Sequence, residues 1–108
     1  MGAPVKDTRA LKELYKTVKR LQNDHTLKDV DLHTPYGVEN DCLVPALWCF
    51  VDNLEKINVK SKYISIITSR MPKRINKPSC KPCDYFKKTD RHTFLSSMRG
   101  HIEQIFQS

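Results

Sequence analysis

The residues of this chain best suited to covalent chemistry are its four cysteines, which fall into two pairs. Cys42 and Cys49 lie seven positions apart in an apolar pattern typical of an α-helix, which separates them by about 10 Å at 1.5 Å per residue. Cys80 and Cys83 enclose a Lys-Pro dipeptide. Because the proline biases the lysine toward an extended backbone, this second pair also spans about 10 Å. The two spacings match, so we expect two disulfides to fasten an extended, proline-containing strap, residues 73–88, to a helix.

Zinc binding is the alternative use of four cysteines. Structural zinc sites favour ligand pairs separated by two to four residues, which Cys80 and Cys83 satisfy but Cys42 and Cys49 do not. Two helical sulfur atoms about 10 Å apart cannot both lie about 2.3 Å from one ion unless the helix unwinds. No βαβ pattern surrounds the single Cys-x-x-Cys, so it does not indicate a redox site. We therefore expect disulfides, an oxidising compartment and no metal site.

The sequence offers little support for catalysis. Nothing resembles a nucleophile elbow, and three glycines are too few for a phosphate-binding loop. The histidines are scattered over three segments and suggest no metal or nucleophilic site: His25, His33, His92 and His101. We expect no enzyme activity, no catalytic residue and no cofactor.

Four helices are predicted to position the cysteines. Apolar residues follow a helical pattern over residues 8–24, 41–57 and 61–71, and from about residue 90 to the C-terminus. The isoleucines of the third segment are β-branched, so a strand is the alternative there. Four amphipathic helices in 108 residues predict one all-α domain, residues 1–108, built as a helical bundle. The first and third connections are long and the second is short. Long crossovers permit an up-up-down-down arrangement.

Particular residues set the limits of these helices. Pro72 is expected to end the third helix, and Thr89 or Asp90 to cap the last one. Trp48 lies away from the apolar stripe of the second helix and is expected to be partly exposed. Gly100 costs about 1 kcal/mol of helix propensity relative to alanine, which suggests close packing or a contact there.

The net charge of +7 is unevenly distributed. Residues 29–55 contain six acids and no Lys or Arg, whereas residues 60–91 contain ten bases and two acids. The simplest interpretation is a solvated basic face. The more specific interpretation is attraction to an acidic partner surface, a glycosaminoglycan or nucleic acid. For nucleic acid, a stacking platform requires aromatic residues between the bases, and none alternate with them here.

We expect a secreted, extracellular chain that does not insert into membranes. No apolar run approaches the roughly 18–20 residues of a membrane span. The first four residues, MGAP, lead directly into polar sequence and are expected to begin a mature chain whose leader has been removed.

Two blocks of the sequence resemble the short-chain cytokines interleukin-2, interleukin-15 and interleukin-21. Residues 40–50, NDCLVPALWCF, are similar to the Cys-x6-Cys-Phe of interleukin-15 and interleukin-21. Residues 80–84, CKPCD, followed by Phe-Leu at 94–95 and HIEQIF at 101–106, are similar to the Cys-x-x-Cys, acid-rich turn and final helix of the same proteins. The resemblance extends over essentially the whole chain from the first helix onward. Outside the two blocks the sequence diverges from these proteins, which suggests a distant vertebrate relative, such as a fish member.

The resemblance implies a short-chain up-up-down-down four-helix bundle with disulfides Cys42–Cys80 and Cys49–Cys83. It also implies a non-enzymatic signal for lymphocyte growth or activation. One ligand bridges the shared β and common γ receptor chains, in some cases beside a private α chain.

The resemblance also assigns receptor-binding residues. Glu13 matches the first-helix acid that contacts the β chain, with Glu where the family has Asp. Ser65 stands where the family has a third-helix Asn, a departure that puts the strength of the β contact in doubt. For the last-helix Gln that meets the γ chain, counting from Phe94 gives Glu103 and matching His-Ile-x-Gln gives Gln104. Both are candidates.

Two other functions remain open at this point. A secreted basic peptide that binds heparin or disrupts membranes would show binding to polyanions that falls steeply with ionic strength. An intracellular zinc-dependent nucleic-acid module would contain metal after purification.

Overall fold

The computed structural model describes residues 8–57, 59, 61–74 and 77–107. Its four α-helices are α1 (Thr8–Gln22), α2 (Leu43–Leu54), α3 (Ser61–Thr68) and α4 (Arg91–Gln107). Two-residue strands lie in the first and third connections, β1 (Leu32–His33) and β2 (Lys88–Thr89), and 3₁₀ turns occupy Asn40–Cys42, Glu55–Ile57 and Cys83–Tyr85. Residues 1–7, including the expected start of the mature chain, lie outside the described residues. That residues 1–108 form a single domain stays a prediction.

The helix α1 runs antiparallel to α4. The Tyr15 hydroxyl donates to a carboxylate oxygen of Glu103 at 2.7 Å, and the Gln22 side-chain amide donates to the Ser96 hydroxyl at 3.2 Å. Later positions in α1 therefore meet earlier positions in α4.

The helix α2 also runs antiparallel to α4. The rings of Phe50 and Phe94 lie 5.4 Å apart, and near the other end of α2 the Nε2 atom of His101 lies 2.8 Å from the backbone oxygen of Leu43. Because α1 and α2 both oppose α4, they are parallel to each other. This requires the long first crossover that the sequence predicts.

The helix α3 returns along α2. The short second connection begins as the Val59 amide donates to the Leu54 carbonyl at 3.3 Å. After α3, the indole Nε1 of Trp48 donates to the Pro72 carbonyl at 3.0 Å, so the end of α3 lies near the middle of α2. The predicted up-up-down-down four-helix bundle is confirmed.

The core consists of the apolar stripes of all four helices. Fully buried side chains, at under 2 % exposure, are Phe50, Phe94, Leu11, Leu14, Leu32, Leu47, Leu54, Ile57, Leu95, Met98, Ile102 and Val18. Burying each of the large aliphatic or aromatic side chains stabilises the fold by about 1.5–3 kcal/mol. The core therefore holds α1, α2 and α4 as one body.

Two disulfides fasten the third connection to α2. The pairs are Cys42–Cys80 and Cys49–Cys83, with Cα–Cα distances of 5.6 and 5.3 Å. This confirms both the parallel fastening expected from the spacing and the pairing implied by the resemblance. The antiparallel pairing of β1 with β2, Leu32 opposite Thr89, ties the first crossover to the end of the strap.

The helix ends differ from the prediction in detail. The third helix was predicted over 61–71, but α3 ends at Thr68 because the amides of Arg70 and Met71 bond three residues back rather than four. Pro72 favours this ending, since it biases Met71 away from helical backbone angles. Asp90 caps α4 as expected, its carboxylate accepting from the Thr93 amide at 3.3 Å.

Gly100 corrects one prediction. It is exposed, and a Cβ atom built there meets nothing within 4 Å. The expectation of close packing at this position is wrong within the described residues, because the glycine lies on the solvent side of α4.

Candidate functional site

Glu13 lies on the solvent side of α1. Its side chain is exposed, as are those of Lys12, Lys16 and Lys19, while its backbone oxygen accepts from the Thr17 hydroxyl at 2.8 Å. The α1 face thus presents one carboxylate among several ammonium groups, a pattern that an oppositely patterned partner surface can recognise.

Ser65 is also exposed, but it faces α2 rather than α1. It lines a groove between α3 and α2 together with Trp48, Asp52 and Arg74, and α1 contributes no residue to that groove among the described part of the chain. Helices α1 and α3 are in contact, yet Glu13 and Ser65 do not face one common cleft.

The residue on the other flank of α3 is Ile66. It follows Ser65 by about 100° around the helix, on the far side of the buried Ile64 and Ile67. Its side chain is 56 % exposed. The apolar pattern over residues 61–71 includes Ile66, whereas the structure presents its side chain to solvent on the side away from α2.

Glu103 and Gln104 project from α4 in different directions. Glu103 lies at the boundary with α1, where it accepts the hydrogen bond from Tyr15. Gln104 is exposed and lies about 100° further round, on the same strip as Gly100 one turn earlier. The structure therefore places the two candidates for the γ-chain contact, which the sequence did not distinguish, on different sides of α4.

The boundary of α1 and α4 carries a polar and aromatic cluster centred on Tyr15. Arg99 donates to the Tyr15 hydroxyl at 3.3 Å, and Phe106, 40 % exposed, makes an edge contact with the Tyr15 ring at 6.4 Å. The hydrogen bond from Arg99 to Tyr15 raises the pKa of Arg99, and the nearby Glu103 carboxylate acts in the same direction. This cluster fixes the Glu103 side chain against α1.

A second cluster lies on the outer face of α2. The Arg74 guanidinium stacks over the Trp48 ring at 4.1 Å from its centroid and forms two hydrogen bonds with the Asp52 carboxylate, at 2.6 and 2.9 Å. The hydrogen bond to Asp52 raises the pKa of Arg74. Trp48 is half-buried, as predicted, but its pairing with a residue of the strap was not found from the sequence.

Two polar side chains are buried in the bundle. Asn53 donates to the Cys49 carbonyl at 2.8 Å and to the Cys83 sulfur at 3.3 Å, while its Oδ1 atom has no hydrogen-bond partner among the described residues. His101 packs against Phe50, and burial lowers its pKa below the ordinary value of 6.5. Both side chains are buried, Asn53 on α2 and His101 on α4.

All four cysteines form disulfide bonds, so none is available as a zinc ligand. Within the described ranges, no three His, Cys, Asp or Glu side chains are grouped to hold a metal ion. Those same ranges contain no helix long and apolar enough to cross a membrane.

Comparison with protein-family models and with curated proteins finds no match to this chain.

Proposed function

We propose that the protein is a secreted cytokine that bridges the β and common γ chains of a class I cytokine receptor and signals lymphocyte growth or activation. The observation that carries the proposal is the disulfide-stapled up-up-down-down bundle with its candidate contact residues on separate exposed faces. Glu13 lies on the outer face of α1, and Gln104 lies on the outer strip of α4. A rigid body with two such faces can hold two receptor ectodomains together, which raises the local concentration of their cytoplasmic tails.

The face proposed for the β chain combines charge with an apolar anchor. Glu13 and its neighbouring lysines supply the charge pattern, and the exposed Ile66 on the adjacent α3 supplies apolar area. An interface needs such a buried apolar centre within a polar rim. We therefore assign the third-helix contact to Ile66 in addition to Ser65.

The face proposed for the γ chain centres on Gln104. An exposed amide has both a donor and an acceptor to offer a partner. The Glu103 carboxylate already accepts from Tyr15, so a partner contact there would compete with a bond inside the bundle. Gly100, one turn before Gln104, has no side chain, so a partner backbone can approach α4 closely there.

The β-face assignment is tested with Glu13→Lys. Reversal of this exposed charge is expected to weaken binding to the β ectodomain, measured by surface plasmon resonance, and to leave the melting temperature unchanged. Glu39→Lys makes the same charge change at an exposed position of the first crossover, away from α1 and α3, and serves as the control. Unchanged affinity of the Glu13 variant, or equal losses in both variants, would reject the assignment.

The γ-face assignment is tested with the double variant Gln104→Asp, Glu103→Lys. We expect it to bind the β ectodomain normally and to lose signalling in cells that carry both receptor chains. The single variants distinguish the two residues, and Tyr15→Phe controls for the hydrogen bond lost with Glu103. Full signalling by the double variant would exclude this face.

A further inference from the structure

A groove runs between the outer face of α2 and the strap. We call it the strap groove; its volume is about 440 Å³, and its lining includes Pro45, Trp48, Asp52, Arg74, Lys77 and Lys81. Trp48, Asp52 and Arg74 also line the groove beside Ser65, whereas Lys77 and Lys81 lie outside both proposed receptor faces.

The strap groove is positively charged. Three cations line it, and Asp52 is the single acid among its described lining residues. Arg74 neutralises that acid through its two hydrogen bonds. A guanidinium has five N–H donors, so Arg74 keeps donors for a second anion, and Lys77 and Lys81 leave the groove with a net positive charge.

The Cys42–Cys80 disulfide holds Lys77 in place before any ligand arrives, and the Lys81 ammonium lies over the Tyr85 ring at 5.0 Å from its centroid. The Cys80 amide closes a turn on the Lys77 carbonyl at 3.0 Å, and Cys80 is bonded to Cys42 of the turn before α2. The Lys77 ammonium also donates to the Asp41 carbonyl at 3.1 Å. A preorganised site loses less conformational entropy on binding than a flexible basic tail does.

We propose that the strap groove binds a sulfated polysaccharide. Its sulfate groups would pair with Arg74, Lys77 and Lys81, and its sugar faces would lie against the prolines and the Trp48 edge. An open groove accepts a long chain passing through it, and cations with apolar surface between them suit a polymer that alternates sulfates with sugar rings.

Other polyanions fit the strap groove less well. Single-stranded nucleic acid needs open aromatic faces for its bases, but Arg74 covers a face of Trp48 and Phe86 is buried. An acidic peptide that added as a strand would need backbone N–H groups. Two wall residues of the strap, Pro78 and Pro82, have none.

The single tryptophan of the chain lies in this groove, so its fluorescence reports binding at the site itself. Titration with a heparin hexasaccharide at about 0.15 M salt is expected to give a saturable change in Trp48 emission. The double variant Lys77→Gln, Lys81→Gln should weaken this binding by about tenfold, since two ion contacts are lost. Its melting temperature and receptor binding should stay unchanged.

Lys12→Gln with Lys16→Gln removes the same charge from α1 and is the matched control, expected to retain hexasaccharide binding within about twofold. The proposal is overturned if Trp48 emission does not respond, or if both double variants weaken binding equally, since that would indicate diffuse attraction. It is also overturned if hexaglutamate or a six-nucleotide single strand binds the groove as tightly as the hexasaccharide.

Discussion

The two disulfides allow a matched comparison, because they close loops of nearly equal length. The sequence separations are 38 residues for Cys42–Cys80 and 34 for Cys49–Cys83. In the chain-entropy model each loop constrains the unfolded state by about 4 kcal/mol, and the two values differ by only about 0.1 kcal/mol. Replacing either pair by alanines therefore removes nearly the same entropic contribution.

The surroundings of the two bridges differ. Cys42 and Cys80 are half-buried, whereas Cys49 is only 5 % exposed, and the Cys83 sulfur accepts a hydrogen bond from the buried Asn53. Removal of Cys49–Cys83 thus leaves a small buried void, and the Asn53 side-chain amide loses the Cys83 sulfur as a hydrogen-bond acceptor. We expect an additional cost of about 1–2 kcal/mol for this pair.

The assay is urea unfolding of both double-alanine variants under oxidising conditions, followed by circular dichroism in the far ultraviolet. The expected losses in free energy of unfolding are about 4 kcal/mol for the Cys42–Cys80 pair and about 5–6 kcal/mol for the Cys49–Cys83 pair. Equal losses, or a larger loss for the Cys42–Cys80 pair, would refute the reasoning that burial distinguishes the two disulfides.

Three further variants test individual positions. Gly100→Ala should raise the free energy of unfolding by about 0.5–1 kcal/mol and the melting temperature by about 4 °C, because the position is helical and open; an unchanged or lower melting temperature contradicts this. Asn53→Asp should destabilise the fold by about 3 kcal/mol or more in urea unfolding, since it buries a carboxylate beside the Cys49 carbonyl without a cation; a near-neutral effect contradicts the burial of this side chain. Burial gives His101 a pKa below 6.5 in the folded chain, so the unfolded chain binds more protons than the folded chain in acid. The contribution of His101 to the free energy of unfolding is therefore fully present above about pH 6.5. It is lost as the pH drops through the window between the ordinary and the lowered pKa. His101→Gln should flatten that slope in melting curves from about pH 5 to 8, and an identical slope would assign the acid sensitivity to other groups.

The alternative functions now differ in their support. A zinc module needs cysteine thiolates, and the bridges Cys42–Cys80 and Cys49–Cys83 occupy all four. Heparin binding, by contrast, has a proposed location in the strap groove, where Lys77 and Lys81 lie outside both proposed receptor faces.

The sequence alone determined the elements and much of the topology. Apolar periodicity located four helices, and Pro72 and Asp90 marked two of their ends. The matched spacing of the cysteine pairs predicted a strap bonded to a helix by two disulfides. These features depend on local backbone preferences and on distances of a few residues, which the order of amino acids states directly.

Only the tertiary structure decided which side chains share a surface. Arg74 reaches Trp48 and Asp52 across 26 and 22 positions of sequence, because two disulfides hold the strap against α2. The direction in which Ser65 and Ile66 point depends on how α3 rotates to bury its neighbours. The sequence determined what the helices are, and long-range packing, which carries no local signal, decided which of their residues remain available to a partner.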